Sequence, residues 1–299
     1  MNDFNKTIAV LMTCHNRRKK TMACLDSLFA QSDLPNVELT VYLVDDGSND
    51  GTAEAVKENY PDVNILKGDG SLYWTGGMHK SMAAAMDQGF DLYLWLNDDT
   101  ILYPDALQNL IAVYRDHEQK NNTGIVVGSL CDPDTGEWTY GASIKTSYWH
   151  PLKFEPIEPG ENVKEADNFW GNVVLVPQEI VDRIGNLDNN FDHGGADHDY
   201  ALRTKKAGYK IWVAPGYVGE CPRNPIEGTW KDRSLPFIQR LRKLLSIKNQ
   251  SLSHRFYFLR KHGGFLFPII FFTPYVGLVY DHFIKPFIGN RKKEIKNNL

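Results

Sequence analysis

Apolar residues in this chain gather in short runs, and the segments between the runs repeat at helical spacing. Residues 7–13, 37–44, 63–66 and 92–96 read as strands, and the unbroken run at 92–96 suits a strand buried on both faces. Residues 19–31 place Met22, Leu25, Leu28 and Phe29 on one helical face. Asp50 or Thr52 is placed to cap a second helix reaching about Tyr60. Trp74-Thr75-Gly76-Gly77-Met78 opens a third, running to about Gln88. Four strands alternate with three helices, which predicts an α/β fold with a mostly parallel, doubly wound central sheet and helices on both faces. Pro104 then starts a helix to about Gln119, and residues 124–130 form a fifth strand. Residues 132–168 are less regular and read as a partly mobile insertion with short strands. After it come a strand at 173–176, a helix from Pro177 to Ile184, a helix opened by residues 191–200 and ending near Gly208, and a short last strand at 211–213.

The polar residues at the ends of these runs carry the chemistry. Leu92-Tyr93-Leu94-Trp95-Leu96 leads straight into Asn97-Asp98-Asp99-Thr100. A buried parallel strand delivers the residues after it to the carboxyl edge of the sheet, where open α/β folds bind ligands. Asn97, Asp98 and Asp99 are hard oxygen donors of the kind that join a divalent cation to a phosphate; capping the next helix would need only one of them. The first strand ends in Cys14-His15-Asn16-Arg17-Arg18, the second in Asp45-Asp46-Gly47-Ser48, and the third in Lys67-Gly68-Asp69-Gly70. All should converge on one edge. Gly76 and Gly77 would let a ligand approach the backbone closely. Asp45 and Asp46 also suit a tight turn, and Asp197 and Asp199 also suit the first turn of a helix.

These stretches together resemble a family 2 glycosyltransferase of the GT-A fold. The matching pieces are Thr13-Cys14-His15-Asn16-Arg17, Val44-Asp45-Asp46-Gly47-Ser48, Asn97-Asp98-Asp99 and Gly195-Ala196-Asp197-His198-Asp199-Tyr200-Ala201-Leu202-Arg203, in the family's order across roughly residues 7–215. The segment from Gly68 to Gly77 is similar to bacterial members that build O-antigen or capsule, often labelled rhamnosyltransferases. The resemblance implies a metal-dependent inverting transferase. It would move a sugar from a nucleoside-diphosphate donor (a dTDP- or UDP-sugar, dTDP-rhamnose among them) to a lipid-linked or growing surface polysaccharide. It also implies site residues: Asp45 and Asp46 for base and ribose; Thr13, Asn16 and Arg17 from the first loop; Asp69, Trp74, Gly76, Gly77, Asp98 and Asn172 around the donor; Asp99 on a Mg²⁺ or Mn²⁺ ion; and Asp197 as the base. Asn97 replaces the first acid of the Asp-x-Asp motif, and its amide oxygen suits a ribose hydroxyl or a metal-bound water. Ala196 stands where many members have Glu. Asp199 and Arg203 read as support on the helix side, and His193 and His198 as optional metal ligands. Trp74 and Trp170 suit either stacking or core packing.

Charge divides the chain. Residues 231–299 hold 14 Lys/Arg against 3 Asp/Glu, and the rest holds 19 against 34. An acidic body with a basic tail points to an anionic surface rather than nucleic acid. The expected division is a transferase domain at 1–230 and a helical extension at 231–299, in contact with the inner membrane face or with a second copy. Within it a helix is expected over about 235–260. Residues 265–280 are apolar, but they number 16 and include Pro268, Pro274 and Gly277. That is short of a spanning helix, so a segment lying in the interface is expected. Four scattered cysteines with no Cys-x-x-Cys pair, and an amino terminus without a basic-then-apolar leader, lead to the expectation of a cytoplasmic protein held peripherally at the membrane. Two other functions fit parts of the pattern: a nucleotidyltransferase, although the first loop lacks the glycines that cradle a triphosphate, and a non-catalytic nucleotide or sugar binder in a membrane complex.

Overall fold

The computed structural model describes residues 5–32, 34–191, 194–246 and 251–285. The chain divides into two compact units, Met1–Tyr148 with Lys153–Arg223, and Trp149–Leu152 with Asn224–Leu299.

The first unit opens with β1 (Lys6–Cys14), α1 (Arg18–Phe29), β2 (Val37–Asp45), α2 (Thr52–Asn59), β3 (Asn64–Lys67), α3 (Tyr73–Met86) and β4 (Leu92–Leu96). These are the elements read from the sequence, each within two residues of its expected place or nearly so. A two-residue strand, β5 (Ile101–Leu102), precedes α4 (Ala106–Gln119) and β6 (Gly124–Cys131). The irregular stretch folds into five short strands: β7 (Trp138–Tyr140), β8 (Ala142–Lys145), β9 (Phe154–Ile157), β10 (Lys164–Glu165) and β11 (Asn168–Phe169). Then come β12 (Val173–Pro177), α5 (Gln178–Ile184), α6 (Ala196–Lys206) and β13 (Lys210–Glu220). The last strand is far longer than the expected three residues. Its register slips between Val213 and Tyr217, around Pro215 and Gly216, and pairing with β6 then resumes as far as Glu220. An irregularity of this kind hides a strand's continuation from a periodicity reading.

The main sheet has the order β10-β13-β6-β12-β4-β1-β2-β3, and β11-β8-β9 form a smaller sheet. Strands β4, β1, β2 and β3 are mutually parallel. From β1 the chain steps outward to β2 and β3, then returns so that β4 lies on the other side of β1. The order therefore reverses between β1 and β4, and open α/β sheets bind ligands at such a reversal. β12 runs antiparallel to both β4 and β6. Because Val173 pairs with Leu96, the residues leading into β12 lie at the edge where β4 ends. β6 and β13 are parallel to each other, with Glu220 opposite Cys131, so β13 also delivers Cys221 to this edge. β4 is buried along its whole length.

Trp95 at the centre of β4 meets Trp74 of α3 (6.2 Å, 69°), Phe169 of β11 (5.9 Å, 74°) and Tyr200 of α6 (5.0 Å, 66°), all edge-on. Such edge-to-face contacts add specific geometry to apolar burial. One indole thereby fixes three elements whose ends form the site.

The second unit contains α7 (Phe237–Leu244), α8 (Leu252–His262) and α9 (Phe267–Val279), so the expected single helix over 235–260 is two helices with residues 247–250 outside the described set. A short 3-10 turn before α9 and a π turn after it extend the helical run over Gly264–Ile284. These 21 residues, with mean hydropathy 1.4, are long and apolar enough to cross a membrane by length and composition. This corrects the 16-residue estimate: neither Pro268 nor Pro274 ends the helix. Pro268 occupies the first turn, where its missing N–H costs nothing. Pro274 leaves the Ile270 carbonyl without its usual i+4 donor. Arg255 of α8 supplies one, bonding the Ile270 carbonyl at 2.5 Å and the Phe271 carbonyl at 3.1 Å, and the Thr273 hydroxyl adds another to Ile270 at 2.8 Å. Ile270 and Leu278 are buried, while Phe265, Ile269, Phe272, Val276, Val279 and Phe283 form an exposed apolar stripe at intervals of three and four.

Candidate active site

The first two loops are built into each other. Asn16 takes a left-handed backbone (φ 52°), which asparagine tolerates. Its N–H bonds the Ser48 hydroxyl, and its side-chain oxygen accepts the Asn49 N–H at 2.8 Å. That contact fixes the amide's orientation, so its NH₂ donates to His15 Nε2 (3.1 Å), while His15 Nδ1 donates to the Asp46 carbonyl (2.6 Å). Asp45 is buried and accepts the Ser48 N–H, as a turn former does. Asp46 is 3% exposed, and its two oxygens accept the N–H groups of Gly70 (2.8 Å) and Tyr73 (3.0 Å). It therefore clamps the third loop and the start of α3 to the end of β2. Asp69 is exposed and turned onto Ser71, whose hydroxyl and N–H hold its carboxyl below the usual range.

The glycines of α3 differ from expectation. Both are buried, and the space each leaves is filled by this chain itself. A Cβ on Gly77 would lie 2.0 Å from Thr13 Oγ1, and one on Gly76 would lie 3.2 Å from Leu72 Cβ. Gly77 lets α3 press against the end of β1, and the Thr13 side chain occupies that contact.

Across the β1/β4 reversal, Arg17 Nη1 reaches Asp98 Oδ1 and Asp99 Oδ2, each at 3.0 Å, and Lys20 Nζ lies 3.5 Å from the same Asp99 oxygen. Burial alone would lower the Arg17 guanidinium, but the two carboxylates outweigh it and raise it. Asp98 is buried, and burial pushes its carboxyl up to about 6 even against the pull of Arg17. Asp99 is the more open of the two acids. Three thiols pack beneath this loop. Cys24 donates to the Asn97 carbonyl and Cys221 to Asp99 Oδ1. Burial raises Cys24 and Cys14, and burial beside Asp99 pushes Cys221 up to about 12. All four cysteines are free and buried. The native protein is therefore expected to resist a bulky disulfide reagent at pH 8 and to titrate four thiols only after denaturation. Rapid labelling of the folded chain would contradict this.

Asn97 accepts the Trp74 indole N–H on its amide oxygen at 2.7 Å, so that oxygen is already committed within the protein. Asn172 is likewise engaged within the protein. It is buried, its side chain points at Cys221, and its carbonyl accepts the Asn97 N–H. Gly171 sits between the two sides of the site. A Cβ there would come within 2.7 Å of the Trp74 ring and 3.4 Å of Asp197 Cβ. Asp197, in the first turn of α6, accepts the Gly171 N–H on Oδ2 (3.2 Å) and the His198 N–H on Oδ1 (2.8 Å). A chain of contacts from Asp197 through Gly171 and Asn172 to Asn97 connects the start of α6 with the Asn97–Asp99 loop. Asp199 is fully buried and paired with Arg203 at 2.7 Å, and Arg203 also bonds the carbonyls of Ile184 and Asn186. This pair locks α6 onto the preceding loop. His193 lies outside the described residues. Sequence reasoning did not single out Lys20, Ser48, Gly171 or Cys221. Nothing in the local pattern marks Gly171 or Cys221, because only the antiparallel β12 and the resumed β13 bring them here.

Among the described residues no group of three or more His, Cys, Asp or Glu side chains is placed to enclose a metal ion. Mg²⁺ commonly takes one or two carboxylates and completes its shell with phosphate and water; Asp99 could serve as such a carboxylate by exchanging Arg17 and Lys20 on Oδ2 or the Cys221 thiol on Oδ1. Two cationic side chains already gather at the Asp99 oxygen.

This fold is of the GT-A type. The chain belongs to glycosyl transferase family 2, whose model matches residues 9–184. It is 23% identical over 226 residues to glycosyltransferase AglE of Haloferax volcanii, covering 73% of this chain and 68% of that protein. Among solved structures it is similar to the mannosyltransferase PcManGT of Pyrobaculum calidifontis, determined in complex with GDP-mannose and Mn²⁺. There the TM-score is 0.55 at 18% identity, over 95% of this chain and 72% of the other.

Proposed function

We propose that this glycosyltransferase moves a sugar from a nucleoside-diphosphate donor to a hydroxyl of a lipid-linked or growing surface polysaccharide, with inversion at the anomeric carbon. The observation that supports the reading is the run of contacts that joins Asp197 to Gly171, and Gly171 and Asn172 to Trp74 and Asn97 at the head of the loop that carries Asp99. In this reading the loops of Thr13–Arg17 and Asp45–Ser48 hold the nucleoside, with Asp46 keeping the third loop in place. Asp99 would hold a Mg²⁺ or Mn²⁺ ion, which when bound neutralises charge growing on the diphosphate. Arg17 and Lys20 add two cationic groups for the same purpose. The acceptor oxygen attacks the anomeric carbon from the face opposite the diphosphate. As that bond forms, the carbon–oxygen bond to the diphosphate breaks, and the acceptor's proton passes to the Asp197 carboxylate. The two backbone N–H groups on Asp197 orient it for this transfer.

The second unit is proposed to hold the enzyme at the inner membrane face, where a lipid-linked acceptor would be found. The support is its apolar stripe together with the basic charge of residues 231–299.

A thermal-shift screen tests the donor assignment. UDP-, dTDP- and GDP-sugars are added with and without Mg²⁺ or Mn²⁺; GDP-mannose is included because the similar mannosyltransferase was solved with it. One donor class is expected to raise the midpoint, by about 2.7 kcal/mol of stabilisation at a hundredfold excess over Kd, and more with the cation present. No shift with any donor would remove the proposal.

A further inference from the structure

The mechanism leaves one group of side chains unused. Trp170 lies in the turn between β11 and β12, with its N–H bonded to the Gly141 carbonyl. Its indole meets Trp138 at 5.5 Å and 71° and the His198 ring at 5.6 Å and 77°. Trp138 is buried and held by Arg223, whose guanidinium lies 5.3 Å from its ring and bonds its carbonyl. Trp170 is clamped by these neighbours yet remains only half buried. We propose that Trp170 and His198 form the seat for the acceptor's terminal pyranose; this rests on the transferase reading above.

Three observations converge. First, the two residues are fixed relative to the base. Gly171, which follows Trp170, gives its N–H to Asp197 Oδ2, and His198, which follows Asp197, gives its N–H to Oδ1. A ring resting on Trp170 is thus registered against the carboxylate that must take its proton. Second, the His198 tautomer is determined. Asn168 Oδ1 accepts the Phe169 N–H at 2.8 Å and so must be oxygen, and His198 Nδ1 lies 3.0 Å from that same atom. Nδ1 therefore carries a proton, and in the singly protonated ring the lone pair lies on Nε2, which can accept a hydroxyl hydrogen. Third, a half-covered indole beside a hydrogen-bond acceptor and a carboxylate matches the two-sided chemistry of a pyranose, with C–H groups on one face and hydroxyls around the rim. The donor is better served elsewhere: the cationic groups that suit a diphosphate, Arg17 and Lys20, cluster at Asp99 rather than here.

The test uses the full chain and two independent probes. Saturation-transfer NMR is recorded with the methyl α-glycosides of glucose, galactose, mannose and N-acetylglucosamine, and calorimetry with UDP, dTDP and GDP. At least one glycoside is expected to bind. Trp170→Ala should weaken that binding about tenfold or more, as truncating an aromatic anchor does, and Trp170→Phe should restore most of it. His198→Ala should also weaken it, and nucleoside-diphosphate affinity should stay unchanged in all three. If Trp170→Ala fails to fold, His198→Ala and Trp170→Phe carry the comparison. Wild-type protein that binds a nucleoside diphosphate but none of the glycosides overturns the seat, as does glycoside binding that survives both alanine variants. Wild-type protein that binds no nucleoside diphosphate overturns the transferase reading itself, and the seat falls with it.

Discussion

Asp197→Asn is expected to lower turnover by about 10²–10⁴-fold, the range that a positioned general base contributes. The substitution is nearly isosteric, so the loss is chemical rather than steric. The wild-type carboxylate accepts one backbone N–H on each oxygen, from Gly171 and from His198. A carboxamide has one oxygen and one NH₂, so in either orientation its NH₂ faces a backbone donor. The variant thus loses the base and one anchoring bond at the same time. Binding of the nucleoside diphosphate should survive within about twofold, because the groups proposed to hold it sit on the loops after β1, β2 and β4. Initial rates of donor consumption and calorimetric titration of the nucleotide separate the two effects. A variant that keeps wild-type turnover would remove Asp197 from the mechanism as its base.

The largest effect on stability is expected at Gly77. Its added Cβ would sit 2.0 Å from Thr13 Oγ1 and 2.7 Å from Thr13 Cβ, far inside contact distance, in a fully buried stretch. Neither side can yield cheaply, since Thr13 is in a central strand and Gly77 in a helix packed upon it. Gly77→Ala should therefore cost about 3 kcal/mol, near the upper end of overpacking penalties. In a unit of this size that is a drop of roughly 6–12 °C in Tm. Thr13→Gly should be destabilising alone, as glycine in a strand is, yet it should return most of the loss when combined with Gly77→Ala. A double-mutant cycle measured by thermal or urea unfolding checks this, and simple additivity would show that the two residues do not share the contact.

The same pair shows how far the sequence can be read. Four strands alternating with three helices were legible because the central parallel strands are largely apolar and their helices keep a 3.6 period. The polar residues following each strand were legible as well, since a parallel sheet delivers them all to one edge. What those residues do there was less legible. Gly76 and Gly77 look like room for a ligand, but the room is taken by Leu72 and Thr13. Asn97 and Asn172 look like ligand contacts, but one amide oxygen holds Trp74 and the other side chain is buried against Cys221. A local pattern cannot say which neighbour arrives first, because that neighbour is set by packing between distant elements. The antiparallel β12 and the resumed β13 illustrate the limit. They bring Gly171 and Cys221 to the site from residues that carry no signal of their own.

Arg255 has a consequence for how the carboxyl-terminal helices can behave. A proline inside a helix frees a carbonyl, and in hydrocarbon each unmet acceptor costs several kcal/mol. Here the guanidinium from α8 answers the carbonyls of Ile270 and Phe271 in α9. Drawing α9 away from α8 would leave a bare charge on α8 and reduce the Ile270 carbonyl to the Thr273 hydroxyl alone. The hairpin must therefore enter or leave an oily environment as a single piece.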